Sequence, residues 1–278
     1  MNSLKSEFYT IRKLPTVTIV AVLSIVLAGV GAILQWSLPF LLKIDPPQAG
    51  DGPAGEQVQA LIDAADPVTA DFQLAALDIT GSGQSSGLSM FLIAIVALTI
   101  TAASYAFSSG AVVWKVVGTG SRMRWSLSLT AAVLGAVLLV CVGACALTTV
   151  ISLVAAPMNS ASLVAPAGDT VVMWLRGSLA IVLLATSIVG VVLAVRKVGA
   201  AIGIVVAVLM AGVIFGTIGS MAGWDPIVYG WLPTSAVTTA GGQGLMQTAN
   251  PWTGIAALVG WAVLSLGLGL ARFGRANL

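Results

Sequence analysis

The chain alternates between long apolar runs and shorter polar segments. Six runs have about 20 residues or more, which is enough to cross the roughly 30 Å hydrocarbon core of a bilayer as an α-helix. They cover residues 16–36, 88–107, 127–155, 171–195, 198–221 and 252–271. Backbone groups in lipid must find hydrogen-bond partners within their own segment, and the alternation of a membrane β-barrel is absent. We therefore expect an all-α polytopic membrane protein with six transmembrane helices, formed by a single domain over residues 1–278.

Composition and charge narrow the class of protein and orient it in the membrane. With 58% hydrophobic residues, 8% charged residues and a mean hydropathy of +1.03, the chain is not a soluble globular domain. Ten of the twelve basic residues fall, with a single acid, in the termini and in alternate connecting segments. The opposite segments hold the other nine acids. Under the positive-inside rule this split makes both termini cytoplasmic, in a multi-pass protein of the cell membrane.

Residues 1–13 have the pattern of a short amphipathic helix. Leu4, Phe8 and Ile11 recur at helical spacing, and basic residues occupy other positions. Such a helix lies in the inner membrane interface, and Pro15 allows a bend before the first span. We interpret the segment as an interfacial elbow helix; a simple basic anchor is the alternative. The residues assigned to this elbow are Lys5, Phe8, Arg12 and Lys13.

Residues 108–126 connect the second and third spans and contain no acid. Their first half, residues 110–117, can form about two helical turns with Val112, Val113, Val116 and Val117 on one apolar side. Residues 118–121 then break the helix before a basic pair. A short helix that connects two spans on the cytoplasmic side has the shape of a docking element. An ordinary basic loop explains the sequence of this segment equally well. Val113, Trp114 and Val117 would form its apolar contact. Lys115, Arg122 and Arg124 would pair with acids on a partner.

Two further segments lie on the opposite side of the membrane. Residues 37–87 carry seven acids and form an external acidic segment, with short helices expected at 56–65 and 70–77 after an irregular start. Residues 222–251 are too many for a simple connection and too apolar for a solvated loop. Their aromatic, proline and glycine residues predict two short re-entrant helices before the last span, with an amphipathic external loop as the alternative.

Three residues within the spans need an explanation of their own. Cys141 and Cys145 lie four residues apart on one helix face, where they are expected to act as small packing residues. Arg176 lies about one helical turn inside the external end of the fourth span. An unpaired charge this close to lipid is unfavourable in free energy. We expect it to reach outward or to pair with Asp169 or Asp225; a cation that faces a substrate is the functional alternative.

Most catalytic and energy-coupling machinery is missing from the sequence. The chain has no histidine, no acid in the middle third of any span and no G-x-x-x-x-G-K-[ST] loop. Ion-coupled carriers normally need an ionisable or unwound site at mid-membrane, and none is apparent. A polytopic bundle without an energy source suggests a partner that supplies one, although passive channels and scaffolds lack such groups too.

In layout, and in three local stretches, the chain resembles the permease subunits of ABC-2 type transporters, especially the compact six-span actinobacterial kind. The stretches are residues 4–12, 110–125 and 231–237. Family members usually carry an acidic-aromatic-basic stretch and Gly-Thr at the end of the second span. In residues 106–111 only the aromatic residue and the glycine remain, and the usual Arg-Asp near the C-terminus is replaced by residues 275–277.

The resemblance implies a transport subunit that pairs with a second permease copy or a paralogue. A cytosolic ABC ATPase would dock on residues 110–124 and on the elbow, so this chain itself would bind no cofactor and the partner would use ATP. The implied function is export of a drug-like, lipid or peptide substrate, without enzymatic activity or nucleic-acid binding. The alternatives are a non-catalytic membrane protein, such as an immunity or assembly factor, and an unrecognised membrane enzyme.

Overall fold

The computed structural model describes residues 2–44, 59, 62–82, 89–243 and 250–275. Within them we number eleven helices and find no strand. The helices are α1 (Asn2–Lys13), α2 (Pro15–Ile44), α3 (Ala70–Leu77), α4 (Met90–Ser108), α5 (Val112–Thr119), α6 (Arg122–Met158), α7 (Ala167–Val195), α8 (Val198–Met221), α9 (Pro226–Gly230), α10 (Pro233–Gly241) and α11 (Pro251–Arg275). The irregular segment predicted for residues 45–55, most of the short helix predicted at 56–65, and residues 276–277 lie outside the described residues.

Six of these helices are long and apolar enough to cross a membrane, which confirms an all-α polytopic membrane protein. They are α2, α4, α6, α7, α8 and α11. The predicted tight hairpin is also present, because α7 ends at Val195 and α8 begins at Val198. We call the side of the bundle where α2 begins and α11 finishes the basic end, since Lys13, Arg122 and Arg275 lie there, and the other side the acidic end.

Two spans are longer than the sequence pattern indicated. Helix α2 continues to Ile44, so residues 37–44 belong to the helix and not to the external segment. Helix α6 has 37 residues, about 55 Å at the usual helical rise, and extends beyond its predicted span at both ends. Its start is set by Gly120, which adopts a left-handed conformation (φ 68°) at the end of α5, and by Ser121, whose side chain caps α6.

The tightest packing in the bundle joins α7 to α11. At their crossing, a Cβ on Gly190 would overlap the backbone of Ser265, and one on Gly269 would overlap the carbonyl group of Gly190. Small residues therefore let the two backbones touch, which is a common way to associate helices in a membrane that offers no hydrophobic driving force between them. Cys141 and Cys145 are free and buried in α6, as expected for packing residues.

Helices α9 and α10 form the predicted re-entrant pair. The Thr234 hydroxyl donates to the carbonyl oxygen of Leu209 (2.9 Å), and the Trp261 indole donates to the carbonyl oxygen of Trp231 (2.8 Å). Leu209 is the twelfth of 24 residues in α8, and Trp261 is the eleventh of 25 in α11. The turn between α9 and α10 therefore reaches the middle of two spans, and α10 returns toward the acidic end.

Residues 70–82 are packed between the spans at the acidic end and do not form a solvated cap. The Phe72 ring meets the ring of Trp36 on α2 edge to face at 5.2 Å. The Trp174 indole of α7 donates to the carbonyl oxygen of Leu77 (3.1 Å). Helix α3 has the bounds predicted for its segment, but its burial corrects the view of this stretch as an acidic surface.

The α7–α11 crossing generates a prediction about two neighbouring glycines. We expect Gly269→Ala to lower the free energy of unfolding by about 1–3 kcal/mol, because the added methyl group would force the two backbones apart. Gly267 is the matched control, since a Cβ there meets nothing within 4 Å. The measurement is unfolding of the purified protein by titration with SDS. Equal stability of the Gly269→Ala and Gly267→Ala variants would contradict the close contact.

Candidate docking site at the basic end

A single buried carboxylate joins four helices at the basic end. Glu7 of α1 is only 3% exposed, and both of its oxygens lie 2.9 Å from the Lys115 ammonium of α5. The Tyr105 hydroxyl of α4 also donates to this carboxylate, and the Trp125 indole of α6 donates to it at 3.2 Å. Such a group is stable in the interior because its charge is paired and its oxygens accept hydrogen bonds.

The Lys115 ammonium completes this network. It lies within hydrogen-bond distance of the Tyr105 hydroxyl and 4.7 Å from the centroid of the Tyr105 ring, so the ring also stabilises the cation. We call Glu7, Tyr105, Lys115 and Trp125 the Glu7 network. It connects α1 to both ends of the segment that links α4 to α6, so α5 is held by its flanking spans and by α1.

Local sequence explains how Glu7 reaches this place. Helix α1 ends at Lys13, and the single residue Leu14 separates it from Pro15, where α2 begins, so α1 can turn back against α6. Ile11 lies one helical turn beyond Glu7 and is buried beside it. At the start of α1, the Ser3 and Ser128 hydroxyls are 2.8 Å apart.

An aromatic cluster extends the network to the last span. Trp125 is fully buried, and its ring contacts Phe107 of α4 (centroids 5.8 Å apart) and Phe273 of α11 (5.4 Å). Phe107 and Phe273 also meet edge to face at 5.9 Å. Edge-on and tilted arrangements at these distances are favourable for aromatic pairs. The cluster therefore anchors the end of α11 to the same point.

The opposite face of α5 is exposed and apolar. Val113 is 44% exposed, Trp114 79% and Val117 69%. Val112 and Val116 turn the other way and pack against the core. The four valines therefore do not share one apolar side. Val112 and Val116 attach α5 to the bundle, whereas Val113 and Val117 lie with Trp114 on the exposed face. The three residues expected to form an apolar contact lie together on this outer face.

The three basic residues predicted beside them have different surroundings. Lys115 is held by Glu7, which corrects the expectation that it is available to pair with an acid on a partner. Arg122 lies in the first turn of α6 and donates to the carbonyl oxygen of Gly274 on α11 (3.2 Å). It therefore also makes a contact within the bundle. Arg124, also in the first turn of α6, is exposed.

The elbow residues lie mostly on the outside of α1. Lys5, Phe8, Arg12 and Lys13 are all exposed, and the Lys13 ammonium lies 5.5 Å from the centroid of the Tyr9 ring. The face that packs against the bundle carries Glu7 and Ile11, while Leu4 and Phe8 of the predicted apolar side are exposed.

Sequence reasoning missed the role of Glu7. The available signal was its isolation: it is the one acid among ten basic residues on its side of the membrane. In a segment selected for positive charge, a single acid beside a predicted apolar face is a candidate for a buried ion pair. The partner could not be predicted, because Lys115 lies 108 residues away in the chain.

A second polar cluster lies in the half of the bundle toward the acidic end. Asp78 is 7% exposed and accepts hydrogen bonds from the backbone N–H and the hydroxyl of both Thr80 and Ser82, at 2.6–2.9 Å. This turn abuts Gly177, the eleventh residue of α7, and Gly241 at the end of α10. An acidic residue from a connecting segment is therefore buried within the bundle, next to the span that carries Arg176.

Arg176 belongs to this second cluster. Its guanidinium donates to the carbonyl oxygen of Gly241 at the end of α10 (2.6 Å), and Asp78 acts on it electrostatically. A cation at the carbonyl end of a helix is favoured by the helix dipole. This arrangement corrects the expected pairing with Asp169 or Asp225. No group of three or more potential metal ligands of the Cys, His, Asp or Glu types occurs in the described residues.

The Glu7 network predicts a coupling between two substitutions. Glu7→Gln should destabilise the protein by about 3 kcal/mol, because it leaves the ammonium of Lys115 partly buried without its counter-charge. Lys115→Met should also destabilise, by leaving the carboxylate unpaired. The double variant should lose less than the sum of the two, since it buries no unpaired charge. Unfolding by titration with SDS measures all three.

The control for this cycle is Lys5→Gln, which removes an exposed charge from the same helix and should change stability little. Additive effects of Glu7→Gln and Lys115→Met would show that the two groups do not interact.

Comparisons of this chain with protein-family models, with curated proteins and with solved structures find no match. What the geometry establishes is an all-α polytopic membrane protein whose short helix α5 is fixed on its inner side by the Glu7 network and exposed on its outer side.

Proposed function

We propose that this chain is the transmembrane permease subunit of an ABC transporter that exports a drug-like, lipid or peptide substrate. A separate cytosolic ATPase would bind ATP and dock on α5. The chain would pair with a second copy or a paralogue, and dimerisation of the two ATPases would rock the two bundles about a path between them. The function is that of a transport subunit and not of an enzyme.

The observation that carries this proposal is the two-sided character of α5. A coupling element must present a contact surface to the ATPase and must transmit the resulting motion to the spans. The outer face has the exposed Val113, Trp114 and Val117. The inner face is tied to α1, α4 and α6 through Lys115 and the Glu7 network. A simple basic loop needs neither property.

A second copy is supported by the exposure of α8. In its most apolar 18-residue window, 22% of the residues are buried, compared with 56% in α7. Its uncovered surface includes the small residues Gly199, Gly203 and Ala207, spaced one helical turn apart. Small residues at this spacing favour close helix association in membranes.

The proposal requires α5 to face the cytoplasm, and the distribution of charge supports that orientation. Basic residues of short connecting segments remain on the cytoplasmic side during insertion. Both termini would then be cytoplasmic in the cell membrane, and residues 59–82 would be external.

The orientation can be tested by labelling single cysteines in a background without Cys141 and Cys145. Both native cysteines are buried, so their replacement by alanine removes no exposed group. A membrane-impermeant maleimide should label Val68→Cys in intact cells and should label Lys197→Cys only after permeabilisation. Both positions are exposed, at opposite ends of the bundle. The reverse pattern would place α5 outside the cell and exclude a cytosolic ATPase partner.

The docking assignment predicts an effect of Trp114→Ala. Truncation of an aromatic anchor at a protein interface often costs about 2 kcal/mol or more, which corresponds to about 30-fold weaker binding. The variant should therefore lose a co-expressed ABC ATPase on purification and should lose ATP-dependent export, at a membrane abundance equal to wild type. Val113→Asp should have the same effect by placing a charge on the outer face.

Trp252→Ala is the matched control. Trp252 is also an exposed tryptophan, 59% accessible, but it lies at the acidic end. Retention of the ATPase and of export by both α5 variants would refute the docking role and would leave α5 as an anchor in the headgroup layer, where Trp is common.

A further inference from the structure

A groove of about 570 Å³ opens at the basic end, between the α1–α2 junction, the last turns of α4 and the first turn of α8. Its volume lies within the range of about 300–1,000 Å³ that is usual for small-molecule sites. It extends from Ser109, just beyond the end of α4, inward to Ile100, two helical turns from that end. The groove therefore reaches about two helical turns from the end of the α4 span toward the middle of the bundle.

One part of the groove wall is polar. Six serine and threonine side chains line it: Thr10, Thr16, Thr101, Ser104, Ser108 and Ser109. Thr10, Ser108 and Ser109 donate to backbone carbonyl oxygens nearby. Within the described part of the chain, the side chains of Thr16, Thr101 and Ser104 make no hydrogen bond. Thr16 is exposed at the start of α2, whereas Thr101 and Ser104 line the groove within the α4 span, where a polar occupant would supply hydrogen-bond partners for their hydroxyl groups.

The rest of the wall combines apolar side chains with Tyr105 and Lys115 of the Glu7 network, and four basic residues, called here the rim cations, adjoin lining residues in the chain. Leu14, Ile100, Val198 and Ile202 supply the apolar surface. Arg12 and Lys13 lie in the chain between the lining residues Thr10 and Leu14, and Arg196 and Lys197 directly precede Val198. The Nε atom of Arg196 is buried without a hydrogen-bond partner among the described residues. Glu7, the acid that lies near the groove through its contact with Lys115 and Tyr105, is already neutralised by Lys115.

We infer that this groove binds one anionic phospholipid from the leaflet at the basic end. The phosphate lies among the rim cations and the free hydroxyl groups, and the first methylenes of the acyl chains lie along Leu14, Ile100 and Ile202. A water-filled crevice would satisfy the hydroxyls but would give the basic rim no counter-charge. A zwitterionic lipid would carry its own cation into a rim that already has four. The inference does not depend on the proposed transport function.

Native mass spectrometry of the purified protein tests the site. The protein, in a neutral detergent, is mixed with equal amounts of phosphatidylglycerol and phosphatidylcholine, and the lipid retained on the monomer is counted. Wild type should retain one phosphatidylglycerol in preference to phosphatidylcholine. Ile202→Trp should abolish this preference, because the indole would fill the groove. Arg12→Gln combined with Lys13→Gln should weaken phosphatidylglycerol binding about tenfold or more, since each basic residue near a membrane surface contributes to anionic-lipid affinity.

Two controls separate the groove from the general surface of the protein. Ile204→Trp introduces the same side chain on the same helix, at a position equally exposed (43%, compared with 44% for Ile202) that does not line the groove. Arg272→Gln combined with Arg275→Gln removes the same charge from exposed residues at the end of α11. Both controls should bind phosphatidylglycerol as wild type does.

Three results would overturn the inference. The first is that wild type retains phosphatidylglycerol and phosphatidylcholine equally. The second is that Ile202→Trp retains phosphatidylglycerol as wild type does. The third is that the groove variants and their controls lose phosphatidylglycerol binding to the same extent. The last result would show that basic residues attract anionic lipid without a defined site. None of these measurements needs an ATPase or ATP, so failure of the lipid site and failure of the proposed transport function can be told apart.

Discussion

The Glu7 carboxylate is a negative charge buried where four helices meet, and the architecture of the basic end depends on its neutralisation. Lys115 supplies the counter-charge, while Tyr105 and Trp125 supply hydrogen bonds. An unpaired charge in this position would cost several kcal/mol, so the four groups are stable only together. The buried pair therefore selects one arrangement of α1, α4, α5 and α6.

The two ends of the bundle have opposite characters. At the acidic end, residues 70–82 and helix α10 fill the space among the spans, and the polar groups of Asp78 and Arg176 bond to the chain itself. At the basic end, α5 presents an apolar face outward, and a groove with unpartnered hydroxyl groups remains open. The basic end is therefore the less complete one, although at the acidic end the Nε atom of Arg176 is also buried without a hydrogen-bond partner among the described residues. The docking and lipid proposals both concern the incomplete end.

Helix contacts inside the bundle follow from small residues. Gly190 and Gly269 allow α7 and α11 to touch backbone to backbone, and Gly254 allows α10 to approach α11 in the same way. These contacts hold the re-entrant pair between α8 and α11, where its turn reaches the middle of both spans. The turn itself is partly exposed, but the carbonyl oxygens of Tyr229 and Trp231 accept hydrogen bonds from Leu232 N–H and the Trp261 indole, so these backbone groups do not depend on lipid for partners.

The sequence alone was sufficient for the features that depend on local pattern and on the bilayer. The six spans, the re-entrant pair, the bounds of α3 and the break between α5 and α6 all follow from runs of apolar residues and from Gly, Pro and Ser at their ends. It also indicated which residues of α5 share an exposed apolar face, although it grouped Val112 and Val116 with them. The ends of α2 and α6 were less predictable, because a helix can continue past the hydrocarbon core and the thickness of the bilayer then does not fix where it ends.

The partners of the charged residues could be decided only by the fold. Lys115 resembles the other basic residues of its segment, and only the return of α1 against α6 brings Glu7 to it. Asp78 belongs to an acidic segment that the sequence placed outside, and Arg176 had closer candidate partners along the chain. Charge pairing acts over a few ångströms between elements that are distant in sequence, so no local pattern specifies it. Hydrophobic periodicity acts within one helix, and for that reason the spans could be recognised before their contacts were known.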